Sequence, residues 1–310
     1  MTLRSIVARQ IDHAHRTTPL NFLLVQTWNA IHKATGRLVI SRLKWHAQTE
    51  QPITDAKSKI YVSLTSFGQR ITKVHLAIES IARGTTLPGR IVLWLDDENT
   101  LVNLPKPLVA LKNRGLEIRL CENLKSFKKF YPALRDGVPE DWMFVTIDDD
   151  VIYPRWLLTR LSNFVKTTPK SLVSTVCIAY TMTQDQKHLA PMKSWRWVTE
   201  NRSNCSHFAI GVGGVVYPPT LRNELIVRET AFLQCTPNAD DIWINFVAAE
   251  LGIGVAQMSK RRYVFPSIPG TQSEALSHTN VDQGQNDIQI TATFTELAIS
   301  NIRSAIEQDI

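Results

Sequence analysis

Three consecutive carboxylates, Asp148-Asp149-Asp150, close the apolar run WMFVTI and are the sharpest chemical signal in this chain. Adjacent carboxylates repel, so without a bound cation at least one of them should titrate above its ordinary range. Capping a helix after Pro154 would use one or two acids, each worth about 0.3–1 kcal/mol near a helix start, and leaves the third without a reason. Hard divalent ions take carboxylate oxygens, and Mg²⁺ commonly combines one or two of them with substrate phosphates, so metal or nucleotide binding is the favoured chemistry. A second acidic pair, Asp240-Asp241, opens a helix whose apolar stripe is Ile242, Phe246 and Ala249. Pro237 and Asn238 suit a helix start, so these are either first-turn acids favoured by the helix dipole or a general base facing a cleft.

The elements that must position these acids are legible in the alternation of short apolar runs with helical stripes. Strands are expected at IYVSL from Ile60, at Arg90–Leu95, at LEIRLCENL from Leu116 and at WMFVTI. Between them, Ile71, Val74, Ile78 and Ile81 mark a helix that stops at Gly84, and a second helix is expected from about Pro107 to Arg114. Such alternation implies an α/β fold with a mostly parallel sheet flanked by helices, whose ligands bind beyond the carboxyl ends of the strands. Further on, Leu157, Leu161 and Phe164 stripe a helix, and SLVSTVCIAY and the glycine-rich AIGVGGVVYPP read as single strands. A helix from about Pro237 to Leu251 and a strand from Gly254 to Met258 follow, with an aromatic, basic loop KSWRWVTENR before them. Gly211, Gly213 and Gly214 either let backbone approach a ligand closely or mark a bend. Trp195 and Trp197 offer ring faces to a bound acceptor molecule or cover an apolar edge, and Arg261 and Arg262 read as a solvated face.

The 310 residues carry 44% hydrophobic and 20% charged side chains, which excludes a disordered chain, and 13 Gly with 15 Pro excludes collagen-like sequence. The four cysteines, at 121, 177, 205 and 235, form no CxxC pair, so neither a zinc knuckle nor a disulfide framework is expected. A net charge of +7 points to an anionic partner: nucleic acid, lipid or a phosphorylated small molecule. Residues 1–58 read as a basic helical extension and linker. Leu24, Trp28 and Ile31 share one helix face, which suits either packing on the main domain or an amphipathic contact with an anionic inner membrane through residues 1–46. No apolar run is long enough to span a bilayer and the opening residues lack a signal-like segment, so the expected location is cytoplasmic, with peripheral membrane contact as the alternative.

Taken in order, Thr65-Ser66 after the first strand, Asp96 after the second, the DDD cluster, GVGGVVYPP and ADDIW resemble bacterial glycosyltransferases of the GT-A (Rossmann-like) fold, related to the inverting family two. The resemblance covers about residues 59–286 and implies a GT-A domain over 59–310, with a nucleotide-binding half near 59–153 and an acceptor half near 154–310. It implies Mn²⁺ or Mg²⁺ on Asp148 and Asp150, and the catalytic base at Asp241 or Asp240. It also implies a nucleotide-sugar donor, UDP-linked in the favoured case, contacted by Thr65, Ser66, Arg70, Asp96, Lys128, Lys129, Asp148, Asp149, Gly213 and Gly214. His278 would be a further metal ligand. The implied acceptor is a glycan or lipid-linked hydroxyl in capsule, lipopolysaccharide or related surface-glycan synthesis. Two rival classes fit single features: a haloacid-dehalogenase-like phosphatase, whose DxD aspartate is a nucleophile on an earlier strand, and a nucleic-acid binder. No nucleic-acid-binding motif accompanies the basic charge, and the carboxylate cluster would repel phosphates unless a metal intervened.

Overall fold

A computed structural model describes residues 39–43, 45–263, 265–271 and 284–309. Of the basic extension, residues 39–43 and 45–46 are helical, with Leu43 buried against Leu76, Ala77, Ile152 and Ile268. The remainder of that extension lies outside the described residues. The polar stretch after it packs on the domain: Ile53 is buried, its amide donates to the Arg114 carbonyl, and Arg114 Nε donates to the Gln51 carbonyl.

The parallel half forms where the apolar runs stand. Strands β1 (Ile60–Thr65), β2 (Arg90–Leu95), β3 (Leu116–Leu120) and β4 (Met143–Thr146) alternate with the helices Val74–Ala82 and Lys106–Asn113. In the eight-stranded sheet the order is β3-β2-β1-β4-β10-β5-β11-β8, where β5 is Leu172–Ser174, β8 Ser203–Asn204, β10 Val215–Tyr217 and β11 Val255–Gln257. The β1, β2, β3 and β4 pairings are parallel, as is that of β5 with β11, while β10 and β8 run against their neighbours. Side chains alternate across this pleat. Val62, Leu64, Ile91, Leu93 and Val145 face the helix carrying Val74, Ile78 and Ile81. On the other face Tyr61, Val92, Trp94 and Phe144 join Phe127, Phe130 and Tyr217. The chain leaves β1 toward β3 and returns to β4 on the other side of β1, so a switch point opens at the carboxyl ends of β1 and β4.

The second half of the chain departs from the expected elements in four places. SLVSTVCIAY is two strands, β5 in the main sheet and β6 (Cys177–Ala179) in a separate three-stranded sheet ordered β7-β6-β9. The Ser174 hydroxyl donates to the Ile210 carbonyl and accepts from the Val176 amide, an alternative to ladder bonding that breaks the run. AIGVGGVVYPP likewise divides between β9 (His207–Ala209) and β10, because Gly213 and Gly214 both adopt positive φ, 109° and 108°. The short β7 (Arg196–Trp197) lies inside the stretch read as a loop. Finally, the helix expected from Pro237 begins at Asp240, with Pro237 and Asn238 in the preceding turn and no side-chain cap. Helices Pro219–Val227, Gln285–Thr293 and Glu296–Glu307 complete this half, the last two burying Ile290, Ala298 and Ile302 beside Asp240–Glu250.

Cys121, Cys177, Cys205 and Cys235 are all free thiols. No described helix is long and apolar enough to cross a membrane.

Candidate active site

Carboxylates and cations converge at the switch point. The DDD cluster follows β4, and none of its members lies in the first turn of the next helix, Leu157–Val165, which Trp156 precedes at the cap position. Capping is therefore not their task. Asp149 points inward: its Oδ2 accepts from Ser66 Oγ at 2.5 Å and its Oδ1 from Arg70 NH1 at 2.8 Å. Burial pushes this carboxyl up to about 6 against the opposing pull of Arg70. Asp148 and Asp150 flank it, two residues apart, and both retain more exposure than Asp149. Asp150 Oδ2 lies 3.5 Å from Arg70 NH2, and the Asp148 amide donates to the buried Tyr153 hydroxyl at 2.8 Å.

Two neighbouring lysines, set by the 3₁₀ turn Lys125–Lys129, reach separate acids. Lys128 Nζ lies 2.7 Å from Asp96 Oδ2 at the end of β2. Lys129 Nζ lies 2.7 Å from Asp240 Oδ2 and 3.5 Å from Asp148 Oδ1, joining the strand-end cluster to the helix-start pair. Burial alone would depress the Lys129 ammonium, but Asp240 and Asp148 outweigh it and raise its pKa. Asp97, by contrast, caps the helix Glu98–Val102 through the Asn99 and Thr100 amides.

Asp240 is buried, whereas Asp241 is only partly so. Asp241 Oδ2 accepts the Gly211 amide at 3.0 Å, and Asn245, one turn on, donates to the Asp241 carbonyl and pins Ala209 through two further bonds. Burial, then repulsion from Asp240, pushes the Asp241 carboxyl up to about 7 despite Lys129 and the Gly211 amide. That range suits a group that must take a proton near neutrality.

The fit of a side chain at residue 211 is excluded by contact. A Cβ there would stand 2.5 Å from Asp241 Oδ1 and 3.0 Å from Lys129 Nζ. Gly211→Ala is expected to displace the Asp241 carboxylate and, with that carboxylate as the base, to lower turnover by about 10²-fold, since misplacement by about 1 Å can cost that much, while ligand affinity stays near wild type. Parallel turnover and calorimetric titration check it.

The other expected site residues divide. Thr65 lies at the mouth but its hydroxyl donates to the Trp94 carbonyl. Gly213 and Gly214 form the bend before β10, and a Cβ on Gly213 would meet Thr175 Oγ1 at 2.2 Å, so close packing requires that glycine. Trp195 is not at the cleft: it is buried with Tyr180 and Phe208, its Nε1 donating to the Ala190 carbonyl, because the β6 sheet needs an aromatic cover. Trp197 is half-buried under Arg262, whose guanidinium stands 4.3 Å from the ring centroid, so Arg262 is not a freely solvated cation. Asn238 does not cap; its side chain accepts from Lys125 Nζ at 2.6 Å and its amide donates to Gln289. His278 lies outside the described residues. Tyr153 and Asn245 went unread in the sequence, since neither stands in an acidic or glycine-rich motif. A cleft of about 700 Å³ around Lys59, Trp142, Lys166 and Pro219 opens at the amino ends of β1 and β4, far from these acids.

The donor set can be tested for a divalent ion. Asp96, Asp148, Asp149, Asp150, Asp240 and Asp241 face Arg70, Lys128 and Lys129, an excess of three negative charges. Among the described residues no three His, Cys, Asp or Glu side chains gather closely enough to hold an ion unaided. A cation held by Asp148 and Asp150 would therefore have to complete its shell with phosphate oxygens and water, the pattern usual for Mg²⁺.

No family model matches the chain, and no curated protein matches it in sequence. One similar solved structure is the mannosyltransferase PcManGT from Pyrobaculum calidifontis in complex with GDP-Man and Mn²⁺. It is 12% identical, with a TM-score of 0.47 over 90% of this chain and 84% of that one. At that level the likeness assigns no residue a role.

Proposed function

We propose that this chain is a metal-dependent glycosyltransferase that moves a sugar from a nucleoside-diphosphate sugar to a glycan or lipid-linked hydroxyl, with inversion, in surface-glycan synthesis. The observation that carries this reading is that Lys129 Nζ, 2.7 Å from Asp240 and 3.5 Å from Asp148, brings the strand-end acids and the helix-start pair together at the carboxyl end of the sheet. Asp148 and Asp150 stand at the switch point with an excess of negative charge, and Asp241 stands opposite, held by the Gly211 amide and poised near neutrality.

In the reaction, Asp241 accepts the acceptor's hydroxyl proton as that oxygen bonds the anomeric carbon, and the bond from that carbon to the diphosphate oxygen breaks from the opposite face. The proton ends on Asp241 and the electron pair on the leaving nucleoside diphosphate. A divalent ion on Asp148 and Asp150 would supply charge neutralisation for that leaving group. Ser66 and Arg70 hold Asp149, and Arg70 also stands 3.5 Å from Asp150. A phosphatase that used an aspartate here as nucleophile would not need a base at the helix start.

The test is a panel of UDP-, GDP-, CDP- and dTDP-sugars with Mn²⁺, Mg²⁺ or EDTA, read by thermal shift. A true donor at a hundred times its dissociation constant is expected to stabilise by about 2.7 kcal/mol, and only with metal. Stabilisation independent of metal, or by duplex DNA instead, removes the transferase reading.

A further inference from the structure

The two lysines expected to meet the donor are already engaged, each 2.7 Å from a carboxylate, and Lys129 also reaches a second acid. Lys129 is 8% exposed and Asp240 6%, and their charged atoms lie 2.7 Å apart. To reach a diphosphate, Lys129 would have to abandon Asp240, which would stay buried as an uncompensated charge. Asp241 is served from elsewhere, by the Gly211 amide, and lies about 100° further round the helix from Asp240. The same ammonium lies 3.5 Å from Asp148, so it also fixes the distance between the strand-end cluster and the helix start.

We propose that Lys129 is a positioning residue that commits Asp240 to an internal ion pair and thereby reserves Asp241 for the acceptor. What Asp241 does rests on the transferase reading; the pairing does not. Lys129 is thus an internal cation of the protein and not a ligand of the donor.

A double-mutant cycle decides it. Lys129→Met should strand the Asp240 charge, lowering Tm by about 5 °C or more and turnover by about tenfold or more. Adding Asp240→Asn removes the stranded charge, so Lys129→Met/Asp240→Asn should recover most of both losses. Lys129→Arg should keep Tm near wild type. Calorimetric titration of UDP and GDP with Mn²⁺ should show the double variant within about threefold of wild type. Should Lys129→Met fail to fold, folding of the double variant is the same result in stronger form. The proposal is overturned if the double variant gains nothing over Lys129→Met, or if diphosphate affinity falls by tenfold or more in both. If wild type binds no nucleotide at all, the transferase reading fails, while recovery of Tm still reports the pairing.

Discussion

Asp241→Asn is expected to lower kcat by about 10²–10⁴-fold, equivalent to about 3–5 kcal/mol of barrier, with donor affinity nearly unchanged. The amide keeps the size of the carboxylate but has no proton affinity, while the site still binds the nucleotide. Wild-type kcat should fall as pH drops below about 7, because the acid must be ionised to accept the proton. The same group makes an opposite demand on stability. Its carboxyl rises from 3.8 to about 7 on folding, so the folded chain holds that proton more tightly than the unfolded one. The stabilisation so gained is full below 3.8 and is lost as pH rises through about 7. Asp241→Asn, which mimics the protonated form, should therefore exceed wild type in Tm above pH 7, with the gap closing as pH falls toward 4. A variant that keeps wild-type turnover would remove Asp241 as the base.

Stability lost above pH 7 and activity lost below pH 7 cannot both be optimised by one carboxyl, and that opposition is what separates a working acid from a structural one. Asp149 shows the contrast. Its carboxyl is also raised, yet Ser66 and Arg70 occupy its oxygens, so its proton serves no exposed substrate.

The sequence exposed the parallel half well, because a strand buried on both faces must be an apolar run and nothing else competes with that signal; β2 lies at Arg90–Leu95, as expected. It exposed the acids of the site for a related reason, since clustered carboxylates at a strand end have few structural uses. The second half of the chain was less legible. β5 and β6 share one apolar run and part company only because a serine hydroxyl and the β9 partner intervene. Pro219, at the first turn of its helix, was available as a start signal but follows an apolar strand that draws it into the wrong element. The engagement of Lys128 and Lys129 was invisible, because the Asp96 and Asp240 that take them come from separate elements and adjacency in sequence says nothing of which acid each will meet. The two readings of Trp195 stayed open for the same reason: composition marks an aromatic without saying on which side of a sheet it falls, and burial decides for the apolar cover.

Asp150→Ala and Asp148→Ala are each expected to cut Mn²⁺-dependent nucleotide affinity by at least about 100-fold, since partners one shell further from a metal already cost 10–100-fold when removed. The argument is one of charge and position. Asp149 is spent on Ser66 and Arg70, which leaves the carboxylates on either side of it at the mouth of the β1/β4 crevice, where a diphosphate would lie. Six acids against three cations cannot bring a further polyanion into that crevice unaided; a divalent ion reverses the local sign. Removing one of the two relieves repulsion in the metal-free protein, so neither variant should lose Tm in EDTA. Asp149→Ala should behave differently, leaving Arg70 without its closest buried partner and lowering Tm with or without metal. Calorimetric titration of UDP and GDP at fixed Mn²⁺, alongside melting curves in EDTA, separates the cases. Unchanged metal dependence in both Asp148→Ala and Asp150→Ala would place the ion elsewhere, and a loss confined to Asp149→Ala would mean that packing, not metal, explains the cluster.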